Sequence, residues 1–246
     1  MMPSLAEAAL LTAIIAAAGL MRGFSGFGFS MFAVPLMALV MAPSRAVPVV
    51  LALTFLSNLQ TLRSDWYDID RRSVLALVLW AVPFAMLGNW VLAILDERPL
   101  RLIIGAVTVG ATLILWRAGA APRPRPSGAE TAATGMASGI LHGLLAMGGP
   151  PLTMYYLRGA FTPQAARASM TAAFSLMTLG PLADALLSGR FDGESAALFV
   201  ILLPTMLIAT WFGGRLFHGS PGSHRAVSLP LLAGVGLLAV WSALGS

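Results

Sequence analysis

Apolar residues run along this chain in long blocks, at residues 5–21, 27–42, 46–62, 74–95, 100–117, 132–147, 149–161, 168–187, 195–217 and 226–244. A helix that crosses a bilayer needs about 20 such residues. The blocks at 74–95 and 195–217 reach that length. Two neighbouring pairs fall short, 5–21 with 27–42 and 132–147 with 149–161, and each pair meets at glycine. The pattern predicts an all-α polytopic membrane protein in which the short pairs form broken or re-entrant helices. Irregular backbone at membrane depth survives only where protein buries it or where it lines a cavity.

One stretch breaks the apolar pattern for longer than a turn. "RAGAAPRPRPSGAE", Arg117 to Glu130, is polar, proline-rich and without period. It divides the chain into a first transmembrane repeat at 1–117, a linker at 118–131 and a second transmembrane repeat at 132–246. The two parts echo one another. Gly23 and Gly28 match Gly143 and Gly148 at an offset of 120. Arg45-Ala46 after Pro43 matches Arg167-Ala168 after Pro163 at 122, and "YDID" at 67–70 matches "FDGE" at 191–194 at 124. Pro83 and Trp90 match Pro204 and Trp211 at 121, and Arg101 matches Arg225 at 124.

Charge decides how the halves insert. With an odd number of crossings per half, Arg22, Arg158, Arg167, Arg215 and Arg225 share a face with the linker and the 63–72 loop. Only Arg45, Arg98, Arg101 and Arg190 then lie opposite. An even number spreads the arginines almost equally. Cytoplasmic loops carry the basic excess, so the odd count predicts two inverted structural repeats, a cytoplasmic linker and both termini in the periplasm.

Composition narrows the class further. Hydrophobic residues make up 58% and charged residues 10%, against about 25% charged in soluble domains. The net charge of +5 comes from arginines scattered through short loops, which anchor topology and do not form a nucleic-acid surface. The first apolar block lacks a basic leader and a small-residue cleavage site, so it is read as part of the mature protein. Without cysteine there is no disulfide, thiolate metal site or cysteine nucleophile. The three histidines have no metal-ligand spacing, no nucleophile has a base beside it, and no Walker A motif is present. The expectation is a protein that is not an enzyme and that needs no cofactor.

Candidate chemistry gathers at the glycine motifs. In "RGFSGFGFS" (Arg22 to Ser30) and "HGLLAMGGPP" (His142 to Pro151), helices beginning near Phe29 and Pro151 would aim free N–H groups and a positive dipole end into a cavity. Such an end binds anions. The candidate substrate residues are Ser25, Gly26, Gly28 and Ser30 from the first motif and Gly148 and Gly149 from the second. Arg22, Asn58 and Arg167 are candidates for charge pairing or selectivity. Glycine at this spacing also serves close helix packing, so both readings stand at this point. "GFSGFG" has the spacing GxxGxG with no strand before it and is no dinucleotide fingerprint. His142, of a residue type whose ordinary pKa lies near neutrality, and Asp184, the one acid inside a plausible span, are proton-coupling candidates. The "DID" and "DGE" acids sit at helix starts, where they suit the dipole as caps.

These residues carry a resemblance. "GFSGFGFSMFAVPLM" (Gly23 to Met37), "HGLLAMGGPPL" (His142 to Leu152) and "PFAMLG" (Pro83 to Gly88), with the linker and the twofold repeat, resemble the sulfite exporter TauE/SafE family of bacterial membrane proteins. The resemblance implies secondary transport of small anions, typically sulfite, organosulfonates or related carboxylates, in the cell inner membrane. It implies a probable exporter alternating access around a midplane site, with the lipid bilayer and the anion as its partners and a homodimer as a candidate assembly. A fixed-pore anion channel, or anion uptake coupled to protons or sodium, is the alternative.

Overall fold

The computed structural model describes residues 4–25, 28–117, 124–216 and 234. Among these residues there is no strand. The elements are α1 (Leu5–Ser25), α2 (Phe29–Met37), α3 (Pro43–Asp65), α4 (Arg71–Ile94), α5 (Glu97–Arg117), α6 (Gly128–Leu145), α7 (Gly149–Arg158), α8 (Pro163–Leu187) and α9 (Gly193–Leu216). The protein is all-α, as the block pattern predicts. The block at 226–244 and part of the linker lie outside the described residues. α6 begins at Gly128, inside the stretch expected to be linker, because Ser127 and Glu130 form a capping box there that satisfies two end N–H groups reciprocally.

Five described helices, α1, α3, α4, α8 and α9, are long and apolar enough to cross a membrane. α1 corrects one expectation. The block at 5–21 belongs to a 21-residue helix, because Arg22 to Ser25 continue the helix where the sequence suggested a break. The acids before α4 and α9 cap them: Ser73 N–H donates to Asp70 at 3.0 Å and Ser195 N–H to Asp192 at 2.8 Å.

Contacts between named residues fix the directions of the six helices α1, α3, α4, α6, α8 and α9. Gly19 of α1 meets Met206 and Ala209 of α9, and Gly23, one turn on, meets Thr210 and Gly213. α1 and α9 therefore run parallel. Gly135, Gly139 and Gly143 of α6 meet Leu77, Ala81 and Ala85 of α4 in that order, so this pair is parallel too. α3 joins the first set, since Arg45 reaches Asp192 and Glu194 at the start of α9. α8 joins the second: Ser169 accepts from Asp70 N–H and Asp184 accepts from Asn89. The sets oppose each other, because Asp65 at the end of α3 pairs with Arg167 at the start of α8. Thus α1, α3 and α9 run one way and α4, α6 and α8 the other.

Glycine permits the two tight pairings. A Cβ at Gly23 would overlap Thr210 O, and one at Gly143 would overlap Ala85 O. Close approach of this kind is the small-residue packing that holds helices together where lipid offers no hydrophobic driving force. Leu75, Leu79 and Trp90 on α4 and Val200, Ile201 and Ile208 on α9 stay exposed, the outer apolar surface of a bundle built for lipid. The main core gathers Leu11, Ile15, Phe29, Met37, Leu51, Leu53, Leu145, Leu202 and Met206, drawn from both halves.

Candidate functional site

α1 and α6 each hand over to a short helix, α2 and α7. α1 ends at Ser25 and α2 starts at Phe29. Gly28 caps α2 with φ 92°, a left-handed conformation that costs an L-residue about 1–2 kcal/mol. In the second half α6 ends at Leu145, Ala146 turns at φ 56°, and Met147 N–H closes the turn on Leu141 O at 3.1 Å. α7 starts at Gly149, two residues before the position expected from Pro151. A Cβ at Gly149 would lie 4.0 Å from Met31 Sδ. The two breaks therefore lie against one another.

Between them is a cavity of about 40 Å³. Arg22, Gly28, Phe29, Ser30, Met31, Thr54 and Asn58 line it from the first half, and His142, Ala146, Met147, Gly149, Arg167, Met170, Thr171 and Phe174 from the second. Drug-sized ligands take pockets of roughly 300–1,000 Å³, and this space suits a solute of a few heavy atoms.

The polar groups of the lining are anchored by neighbours, and two of them keep an unused atom. Arg22 donates from its guanidinium to Asn58 Oδ1 at 2.7 Å, and among the described residues no carboxylate pairs with it. Asn58 is 1% exposed, and its Nδ2, a donor of two hydrogens, has no partner. Ser30 Oγ and Thr54 Oγ1 share a hydrogen bond of 3.3 Å. His142, also 1% exposed, uses Nε2 on Thr178 Oγ1 at 2.8 Å and leaves Nδ1 unpaired. Arg167 lines the cavity and pairs with Asp65 at 2.9 Å. Buried donors without acceptors cost about 1–3 kcal/mol each. A site that keeps the Asn58 amide donor idle beside a cation is prepared for an acceptor-rich, negatively charged guest.

The two helix starts differ as donors. The first N–H groups of α2 have no acceptor within the helix. In α7 Pro150 and Pro151 carry no N–H, so only Gly149 and Leu152 of its first four residues can donate.

The structure thus brings Arg22, Gly28, Ser30, Asn58, His142, Gly149 and Arg167 to one cavity. Gly148 lies behind it, where a Cβ would come within 2.6 Å of Ser138 O and 3.4 Å of His142 Nδ1. Gly26 and the Ser25 side chain lie outside the described residues. Asp184 sits elsewhere, bonded to Arg190 and Asn89. Thr54 and Thr178 are polar residues of the blocks at 46–62 and 168–187, and Phe174 carries no signal in the sequence. Thr178 stands at the same offset of 120 from Asn58 as His142 from Arg22, a signal within reach of the repeat alignment.

Comparison with known proteins gives a consistent result. The model of a family described as sulfite exporter TauE/SafE matches residues 11–239. The probable sulfite/organosulfonate exporter TauE of Cupriavidus necator is 27% identical over 234 residues, covering 92% of this chain and 91% of that protein. No solved structure matches the chain.

Proposed function

The chain belongs to the sulfite exporter TauE/SafE family of membrane transporters, and on that premise we propose that it exports a small sulfur oxyanion, sulfite foremost, by alternating access. The observation that carries this reading is the Asn58 Nδ2, unpaired among the described residues, beside Arg22 in a small cavity. Sulfite has four heavy atoms and acceptor oxygens for both groups. Longer organosulfonates need a wider state of the same cavity. Arg22, Asn58, Ser30 and the first N–H groups of α2 hold the anion, Gly28 and Gly149 let the backbone approach it, and Arg167 adds charge at the rim.

The opposed helix sets support an inverted repeat, since α1, α3 and α4 each run opposite to their counterparts α6, α8 and α9. The helix ends also sort the arginines: Arg63, Arg71, Arg72, Arg125, Arg167 and Arg215 lie toward one face, Arg45, Arg98, Arg101 and Arg190 toward the other. By the basic-excess rule the richer face is cytoplasmic, which puts the N-terminus in the periplasm of a bacterial inner membrane. A carrier fits better than a fixed pore because ion pairs join the two halves on both faces, Arg45 with Asp192 and Glu194 on one and Arg167 with Asp65 on the other, where they can break in turn. A potential negative inside drives an anion outward by about 2.3 kcal/mol per charge per 100 mV.

Efflux from sulfite-loaded proteoliposomes tests the reading. Flux should saturate, accelerate with sulfite on the opposite side, and fall at least tenfold in Arg22→Gln. Unsaturable flux, or an Arg22→Gln protein as active as the wild type, would overturn it.

A further inference from the structure

The two halves place a basic residue at the same position of the cavity, and the two residues are not equivalent chemically. Arg22 precedes Gly23 and His142 precedes Gly143, at the offset of 120 that relates the glycine motifs. Their partners obey the same offset, Asn58 for Arg22 at 2.7 Å and Thr178 for His142 at 2.8 Å. One half supplies a permanent cation. The other supplies a group that can gain or lose one.

Proton counting fixes which form the histidine takes in the empty site. A threonine hydroxyl has one hydrogen and two lone pairs. Thr178 gives its hydrogen to Phe174 O at 2.7 Å, so toward His142 it can only accept. Nε2 must therefore carry a proton, and in the neutral ring Nδ1 is a bare lone pair. Nδ1 is buried without a partner and lies at the α6–α7 break beside Gly148. A lone pair repels an anion; a protonated Nδ1 attracts it.

We infer that His142 is the proton seat of this carrier, so that anion entry draws one proton onto Nδ1 and the solute crosses with it. The inference rests on the anion site proposed above. The proton comes from water, adds to the Nδ1 lone pair, and leaves Nε2–H bonded to Thr178; the imidazolium then carries one positive charge. The charged groups facing the site favour this coupling. α1 brings Arg22 and α8 brings Arg167, the latter paired with Asp65 of α3, and no carboxylate is among the described residues lining the cavity. α4 faces α6 with Ala85 and Asn89, both uncharged. With the cavity empty, a second cation in the lining that Arg22 shares is opposed by repulsion. With the anion bound, it is opposed no longer. Proton and anion thus raise each other's affinity reciprocally. Phe174 stacks on the ring at a centroid distance of 5.6 Å and offers its face to the imidazolium.

Calorimetric titration of the whole purified protein with methanesulfonate and with sulfite, each in two buffers of different ionisation heat, counts the protons taken up. Methanesulfonate stays ionised near neutral pH, so any proton it recruits sits on the protein. Wild type should take up close to one proton more per anion than His142→Gln. Its methanesulfonate affinity should fall tenfold per pH unit on the alkaline side, where the variant is flat. His142→Asn replaces the variant if it does not fold. Saturable binding with equal proton uptake in wild type and variant overturns the inference and leaves the anion site standing. Failure of wild type to bind either anion removes the site, and the inference with it.

Discussion

Asn58 is the residue at which stability and function pull apart. Its amide accepts from Arg22 through Oδ1 and leaves Nδ2 buried with no acceptor. Asn58→Asp keeps the shape, turns the Arg22 contact into an ion pair and removes the idle donor. The empty protein should melt several degrees higher, and sulfite should no longer raise that temperature. A thermal-shift series with and without sulfite reads both effects, since a ligand stabilises only the state it binds. Retained stabilisation by sulfite would show that the amide is not a contact. Much of this was legible in the chain: Asn58 and His142 stood out as polar groups within apolar blocks, and Arg22 as the charge in front of a glycine motif. Their pairing did not, because it depends on which face of α3 or α8 turns inward. A weak amphipathic pattern cannot report that when both faces of a helix are apolar.

At the scale of elements, the glycines divide between two duties that sequence reasoning left together. Gly28 is at a break, and its φ of 92° demands glycine. Gly23 and Gly143 lie inside helices and serve contact with α9 and α4. The motif announced that glycine mattered; it could not say which one bent and which one packed, since packing requires a partner helix distant in sequence. Gly143→Val should prevent accumulation of folded protein, because the added atoms meet Ala85 backbone that cannot withdraw. Gly110→Ala on α5 is the control: nothing lies within 4 Å of its Cβ position. It should be neutral or stabilise by up to about 1 kcal/mol. Yield and melting temperature in detergent distinguish the two. The prolines at 150 and 151 have a similar double meaning, since they start α7 well and also strip it of donors.

At the scale of the molecule, the proposed alternating access would make the two ion-pair sets opposed closures. Pairs near a surface are worth about 0–1 kcal/mol, so removing one shifts a balanced equilibrium up to about fivefold. Arg45→Gln should favour opening on the face of Asp192 and Glu194, and Asp65→Asn opening on the face of Arg167. The chain has no cysteine of its own, so Thr54→Cys in the cavity wall is a clean reporter. An impermeant thiol reagent added from one side should label it faster in one variant, and from the other side in the other. Equal labelling of both variants from both sides would mean that these pairs do not govern access.

The crosswise pairing of α1 with α9 and α4 with α6 also bears on how the protein is made. When the ribosome has produced only residues through the linker, the glycine stripe of α1 has no surface to meet, and α4 lacks its neighbour as well. The nascent first half must wait in the bilayer, a poor substrate for assembly and a good one for quality-control proteases. Expressed alone, either half should be degraded. Encoded as two separate polypeptides divided within residues 118–123 and produced together, they should rescue each other and recover sulfite efflux.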